Sequence, residues 1–277
     1  MSDSSFGLSP PLFDICLNLD NEQFDKDREE VLHRARINNV TRIALTGCSL
    51  ASSQFAIKWA ERSPLHYCAT AGIHPHGAEE ASQDVMLAIE GLLSHPQVKA
   101  VGECGLDYNR NFSSPSAQKQ CFETHIALAH KHNMPLFLHQ RDAHEDFMAM
   151  MNDVIQPAVV HCFTDTKESL FAYLDRGWSI GITGWICDPI RGEELRALVQ
   201  HIPLERIMIE TDAPWLFPKN VHPKPKKRRN EPSYLPHILS VIAEQMNVSA
   251  SLLAQHSFAN ACSFFGMNTN EDSLIVE

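Results

Sequence analysis

Short apolar runs recur along the chain, and each one is followed by a segment with helical periodicity. The runs cover residues 12–16, 42–46, 66–73, 98–103, 135–139, 157–161, 178–183 and 206–211. Most are apolar at successive positions, which is typical of strands that are buried on both faces of a parallel sheet. The alternation of strand and helix therefore predicts an α/β fold built from eight parallel βα units.

The helical segments between these runs are amphipathic. Two of them are predicted near 21–38 and near 234–246, the second with Ser233 as its N-cap. Residues 250–266 predict one further helix, which closes the bottom or side of the fold. No stretch rich in Pro, Gly or Ser divides the chain, so we expect all 277 residues to form a single domain with its core at about 12–266.

Several predicted strands end in a residue that binds metal ions or protons. Glu103, His139, His161 and Asp212 end the fourth, fifth, sixth and eighth runs, and His74 follows the third. In a parallel α/β fold all these positions lie at the carboxyl edge of the sheet, where such folds build their sites.

These strand ends also distinguish a closed barrel from an open sheet. In an open sheet the fourth and eighth strands lie four positions apart at ~4.8 Å each, which is too far for their side chains to share one ion. One such residue alone is more often a polar cap, but two imidazoles and two carboxylates would be costly to bury without a cation. The sequence therefore predicts a (β/α)₈ (TIM) barrel in which the four side chains point toward one axis.

The ligand types define a class of metal ion. Two imidazoles with two carboxylates suit Mg²⁺, Mn²⁺ or Zn²⁺, and they do not choose among these three. His74, in the run GIHPH, is a candidate for contact with a phosphate or a water molecule, and His76 shares its loop.

The loops after the predicted strands carry aromatic and basic residues. Tyr108, Arg110 and Phe112 follow the fourth strand, where a ring can stack a base and an arginine can neutralise a phosphate. Trp185 and Trp215 follow the seventh and eighth strands. For each aromatic residue, a loop anchor that packs the barrel mouth is the alternative interpretation.

The run PKPKKRRNEP at 223–232 is a dense basic patch in a chain of net charge −11. A solvated loop is the usual meaning of such a run, but its position after the eighth strand favours contact with a nucleic-acid backbone through Arg228 and Arg229. The acidic balance argues against a protein that coats nucleic acid. It does not exclude an enzyme with a positive cleft, because net charge says little about the field inside a cleft.

The motifs together resemble one family. The runs GIHPH, GECGLDYNRNF, LFLHQRDAH, VVHCFTDT, GWSIGITGWICD, IMIETDAPWL and RRNEPSYLPHI occur in this order between about Phe13 and Gly266. In this set the chain is similar to the TatD family of metal-dependent nucleases, in the amidohydrolase superfamily of barrels. The resemblance implies a cytoplasmic 3′→5′ exonuclease that acts on single-stranded DNA and RNA, depends on Mg²⁺ and has a suggested role in DNA repair.

The resemblance also assigns roles to residues. The metal ligands of the family fall on Glu103, His139, His161 and Asp212 of this chain. Asp212 is the candidate that orients or deprotonates the attacking water, and Glu103 can bridge two ions if both sites fill during turnover.

The chain departs from the family at the first strand. Most relatives have an H-x-H pair there, whereas FDICLNLD supplies Cys16 and Asn18. A thiol suits Mg²⁺ poorly, so we expect one or two ions and interpret Cys16 as a packed thiol rather than a ligand.

Two other functions fit the same residues. One is a metal-dependent hydrolase of ester or amide substrates, such as a D-aminoacyl-tRNA deacylase, because barrels of this kind use one ligand set for several reactions. The other is a non-catalytic binding barrel, which the missing H-x-H pair favours and the four intact ligands disfavour.

The sequence also indicates a compartment. The eight cysteines form no C-x-x-C pair and are expected as reduced thiols. The amino-terminal segment has no signal-peptide pattern, and nothing approaches the 18 or so apolar residues of a membrane helix. We therefore expect a cytoplasmic monomer that needs neither a membrane nor an obligate protein partner.

Overall fold

The computed structural model describes residues 10–226 and 228–269. Its eight strands are β1 (Leu12–Leu17), β2 (Val40–Leu45), β3 (Tyr67–Ala71), β4 (Val98–Asp107), β5 (Leu136–Arg141), β6 (Ala158–Val160), β7 (Ser179–Ile182) and β8 (Ile207–Ile209). Each pairs in parallel with the next along the chain. All eight predicted strands are confirmed, with ends that shift by a few residues.

Helices follow the strands and cover the outside of the sheet. In the described part of the chain they are α1 (Arg28–Ile37), α2 (Leu50–Ala60), α3 (Gln83–Leu92), α4 (Pro115–His132), α5 (His144–Met150), α6 (Lys167–Asp175), α7 (Glu193–Leu198), α8 (Leu235–Met246) and α9 (Ala250–Phe264). None of these described helices is both long enough and apolar enough to span a bilayer.

The first and last strands meet, so the sheet is a nearly closed barrel as predicted. Leu17 in β1 forms a parallel bridge with Ala213, just after β8. Beside it, the Asn18 amide donates to the carbonyl of Ala213 over 3.0 Å, and the Asp212 amide donates to that of Cys16 over 3.1 Å. The hydrogen bonds that close the ring thus involve site residues themselves.

The barrel interior is apolar at the end opposite the site. Phe13 and Phe137 lie in it fully buried, and the α9 residues Phe258 and Phe265 join the same cluster. The Phe13 and Phe265 rings stack with their centroids 5.4 Å apart. The final helix, α9, therefore covers the amino-terminal end of the barrel. This confirms its predicted position at the bottom of the fold, opposite the site.

One local prediction was confirmed in part and another was wrong. The helix expected near 21–38 is confirmed over α1, whereas its amino-terminal part is a separate 3₁₀ turn at Glu22–Phe24; Asp27, the N-cap of α1, has a non-helical φ of −152° and its carboxylate accepts from Arg229. Ser233 is not the N-cap of α8. It lies inside a 3₁₀ turn, its hydroxyl donates to the Glu231 side chain, and the helix begins after Tyr234.

Candidate metal centre and substrate cavity

Two glycines in β4 let this strand lie close against β5. Gly102 and Gly105 have φ values of 139° and 143°, which side chains rarely tolerate. A Cβ atom at either position would collide with a carbonyl oxygen of β5, that of Phe137 or of His139. The GECG run thereby presents Glu103 directly to His139.

One carboxylate oxygen of Glu103 is the centre of the site. Its Oε1 lies 2.8 Å from Nε2 of His161, 3.0 Å from Nδ1 of His139 and 3.2 Å from Nε2 of His74. Its Oε2 accepts from the Cys48 thiol over 3.2 Å. Glu103 is 4% exposed, so these partners replace the water that the carboxylate would otherwise bind.

The imidazoles determine the charge on this cluster. Burial alone would raise the pKa of Glu103, but the positive charge of His161 and the hydrogen bonds of His139 and His161 hold it well below its usual range. Burial opposes a charge on His161, yet the nearby Glu103 and Glu210 raise its pKa well above the usual value. Burial lowers the pKa of His74 to about 4, so this imidazole is neutral at pH 7.

Three of the four predicted ligands, Glu103, His139 and His161, fall into two groups of candidate donor atoms. His74, Glu103 and His139 form one group, and Cys16, His161 and Glu210 form the other, each with its donor atoms within 4.8 Å of one another. His161 joins the two groups, because its Nε2 faces Glu103 while its Nδ1 lies 3.4 Å from Glu210.

Asp212 enters the site from the end of β8. Its Oδ1 accepts from the Asn18 amide over 3.0 Å and lies 3.5 Å from the Cys16 sulfur. Burial raises the pKa of Asp212 to about 7; the charge of His161 opposes this rise, and the charge of Glu103 adds to it. Asp212 thus faces the same space as Glu103, although it belongs to neither group of donor atoms.

Two further carboxylates, Asp107 and Glu210, hold the histidines of the site, and neither was predicted from the sequence. Asp107 accepts from His76 over 2.8 Å and lies 3.3 Å from Nε2 of His139, which holds that imidazole from the side away from Glu103. Glu210 does the same for His161. Side-chain alternation gave a signal for both, because Asp107 shares a strand face with Glu103 and Glu210 precedes Asp212 by two residues.

A cavity of about 750 Å³ lies over these groups at the carboxyl ends of the strands. Glu103, Asp212 and the four imidazoles His74, His76, His139 and His161 line it. Three arginines share the lining: Arg110 after β4, Arg141 at the end of β5 and Arg191 after β7. The cavity therefore combines candidate cation ligands with positive side chains suited to phosphate.

Only one of the four residues predicted to bind substrate lines this cavity. Arg110 lines the cavity, but the Tyr108 hydroxyl donates to Asp146 over 2.7 Å and anchors its loop. Arg228 and Arg229, both in the described part of the chain, are not among the lining residues. Arg228 is exposed.

Arg229 belongs to a network of ion pairs that joins the basic run to α1. Its guanidinium donates to both carboxylate oxygens of Asp27 over 2.7 Å, lies 3.4 Å from Glu231 and stands over the Phe24 ring. Arg34 donates to the same two carboxylates. The basic run is thus tied to α1 at this point by contacts that compete with any phosphate.

Comparisons with known proteins agree with this geometry. The family model described as TatD related DNase matches residues 13–266. Proteins named 3′-5′ ssDNA/RNA exonuclease TatD are 48% identical over 259 residues in Citrobacter rodentium, covering 92% of this chain and 98% of that protein, and 46% identical over 260 residues in Salmonella typhimurium, covering 92% and 98%. A solved TatD family hydrolase from Entamoeba histolytica has a TM-score of 0.85 at 26% identity, covering 95% of this chain and 100% of that chain.

Proposed function

This chain belongs to the TatD related DNase family, and from that premise we propose that it is a cation-dependent 3′→5′ exonuclease of single-stranded DNA and RNA. The observation that carries the proposal is the Glu103 oxygen shared by three imidazoles in a cavity lined by arginines.

The donor set fits a divalent cation. Imidazole nitrogens and carboxylate oxygens converge there, and three imidazoles crowd one buried oxygen within hydrogen-bond distance. We assign Glu103, His139, His161 and Asp212 as ligands, with Mg²⁺ as the physiological ion and Mn²⁺ or Zn²⁺ as substitutes. A bound cation would neutralise charge that builds on the phosphate oxygens and acidify a water molecule in the site.

The residues of the chain do the remaining work. Asp212 orients the attacking water and takes its proton, while the Asn18 amide fixes the direction of that carboxylate. His74, whose imidazole is neutral at pH 7, contacts the scissile phosphate. Arg110 and Arg141 hold the strand by its phosphates.

A labelled oligonucleotide tests this function. A single strand labelled at its 5′ end should shorten one nucleotide at a time in Mg²⁺, and EDTA should stop the reaction. A strand with a blocked 3′ end should resist, which tests polarity. Faster turnover of esters or of D-aminoacyl-tRNA would favour the deacylase instead, and binding of the strand with no turnover of any substrate would favour a non-catalytic barrel.

The thiols support the proposed cytoplasmic location. All eight cysteines are unpaired, and six are buried. Unpaired thiols are typical of proteins in reducing compartments.

A further inference from the structure

The aromatic residues predicted to contact substrate follow strands around the mouth of the barrel, and their environments differ. Tyr108 is anchored by its hydroxyl, which donates to Asp146 over 2.7 Å. Trp185 is anchored by its indole nitrogen, which donates to the carbonyl of Arg191 over 2.9 Å, while the Arg191 guanidinium covers its ring at 4.3 Å. Trp185 lines the cavity together with Phe112 and Trp215, but these two are 65% and 51% exposed.

Exposure of two large rings at the edge of one cavity needs a reason, because each ring leaves apolar area in water. Packing of the loops does not explain this exposure, since Tyr108 already anchors the loop after β4 and Phe217 packs on Tyr234 in the loop after β8. A ligand with flat apolar faces explains the exposure of both rings. Among ligands that arginines also bind, nucleotides offer such faces in their bases.

The two exposed rings stand on opposite sides of the mouth. Phe112 follows β4 and Trp215 follows β8, and in a ring of eight strands in chain order these two are diametrically opposed. Both are close to the candidate centre. The Phe112 ring meets that of His76 with centroids 4.8 Å apart, and the Trp215 amide donates to the carbonyl of Asp212.

We propose that Phe112 and Trp215 are a pair of base-stacking platforms that grip the two nucleotides on either side of the scissile phosphate. This inference rests on the proposed nuclease function and adds the reason for its strand specificity. The two bases must separate to reach opposite sides of the mouth, which is easy at an unpaired end and costly in a duplex, where each base is stacked and paired. The pair therefore selects single strands by stacking and needs no base-specific hydrogen bond.

A cycle of protein and substrate changes tests the stacking. Phe112→Ala and Trp215→Ala are compared with the native protein on a single strand with two intact 3′-terminal bases and on the same strand with abasic sites there. Phe171→Ala is the matched control, because Phe171 is 39% exposed on α6 and packs on His201 away from the cavity. Each mouth variant should lose about tenfold or more in kcat/KM on the intact strand.

On the abasic strand the native protein should already be slow, and the two mouth variants should lose little more. Phe171→Ala should match the native protein on both strands. Equal losses on intact and abasic strands, or no loss on the intact strand, would overturn the proposal.

A binding measurement separates this proposal from the nuclease assignment. A phosphorothioate strand with 2-aminopurine at the last or the penultimate position should lose fluorescence when it binds the native protein. Phe112→Ala should relieve the quenching at one of these positions and Trp215→Ala at the other. If the native protein cleaves no strand, the nuclease function fails while this result still decides the stacking; quenching unchanged in both variants would refute it.

Discussion

The assignment of Glu103 as a metal ligand predicts how cations change the stability of this protein. A cation that binds only the folded chain adds RT ln(1 + [L]/Kd) to the free energy of unfolding, about 2.7 kcal/mol at a hundredfold excess over Kd. For a domain of this size each kcal/mol raises Tm by about 2–4 °C. Saturating Mg²⁺ or Mn²⁺ should therefore raise the Tm of the native protein by about 5–10 °C.

Glu103→Gln should abolish most of this shift. The substitution keeps the shape of the side chain but removes the charge from the oxygen that three imidazoles share. Without the cation the variant should also unfold more easily, because His139 and His161 lose the partner that stabilises their charged forms. The quantity compared is therefore the difference in Tm with cation and with EDTA, taken within each variant. This difference cancels the loss of stability that the substitution causes without the cation.

Differential scanning fluorimetry measures the shift across a range of Mn²⁺ concentrations. Glu123→Gln is the matched control, since Glu123 is exposed on α4 and the substitution likewise replaces a carboxylate by an amide. The control should shift as the native protein does. A full shift in Glu103→Gln would refute the ligand assignment, and so would the absence of any shift of the native protein in Mg²⁺, Mn²⁺ and Zn²⁺.

Three further predictions follow from the same structure. Asp212→Asn should lower kcat by about 10²–10⁴-fold while circular dichroism and Tm stay near native values; near-normal hydrolysis would remove Asp212 from its proposed role. Arg141→Gln should lower the slope of log affinity for a single strand against log salt by about 0.7, whereas Arg229→Gln, whose guanidinium is paired with Asp27, should leave the slope unchanged. Asp27→Asn should reduce the free energy of unfolding by about 1 kcal/mol at pH 7. The hydrogen bond from Arg229 lowers the pKa of Asp27 to about 2, so the native protein should be more stable than Asp27→Asn above pH 4, and this difference in the free energy of unfolding should vanish as the pH falls toward 2. A difference in urea unfolding that stays constant down to pH 2 would contradict this.

The sequence by itself determined the fold and predicted the centre of the site. Apolar runs of strand length alternate with helical periodicity, and both patterns are local properties that burial imposes on neighbouring residues. The requirement that Glu103, His139, His161 and Asp212 meet at one ion then predicted the closed ring. The structure brings Glu103 within 3.0 Å of both histidines, while Asp212 faces them across the same cavity.

Only the tertiary structure decided which polar side chains serve this centre and which serve the loops. Arg229 and Arg110 are alike in sequence as basic loop residues, yet one is paired with Asp27 and the other lines the cavity. Asp107 was not predicted because its partners, His76 and His139, come from the loop after β3 and from β5. The physical reason is that strand and helix patterns depend on residues a few positions apart, whereas hydrogen bonds and ion pairs depend on side-chain directions that ring closure sets across the whole chain.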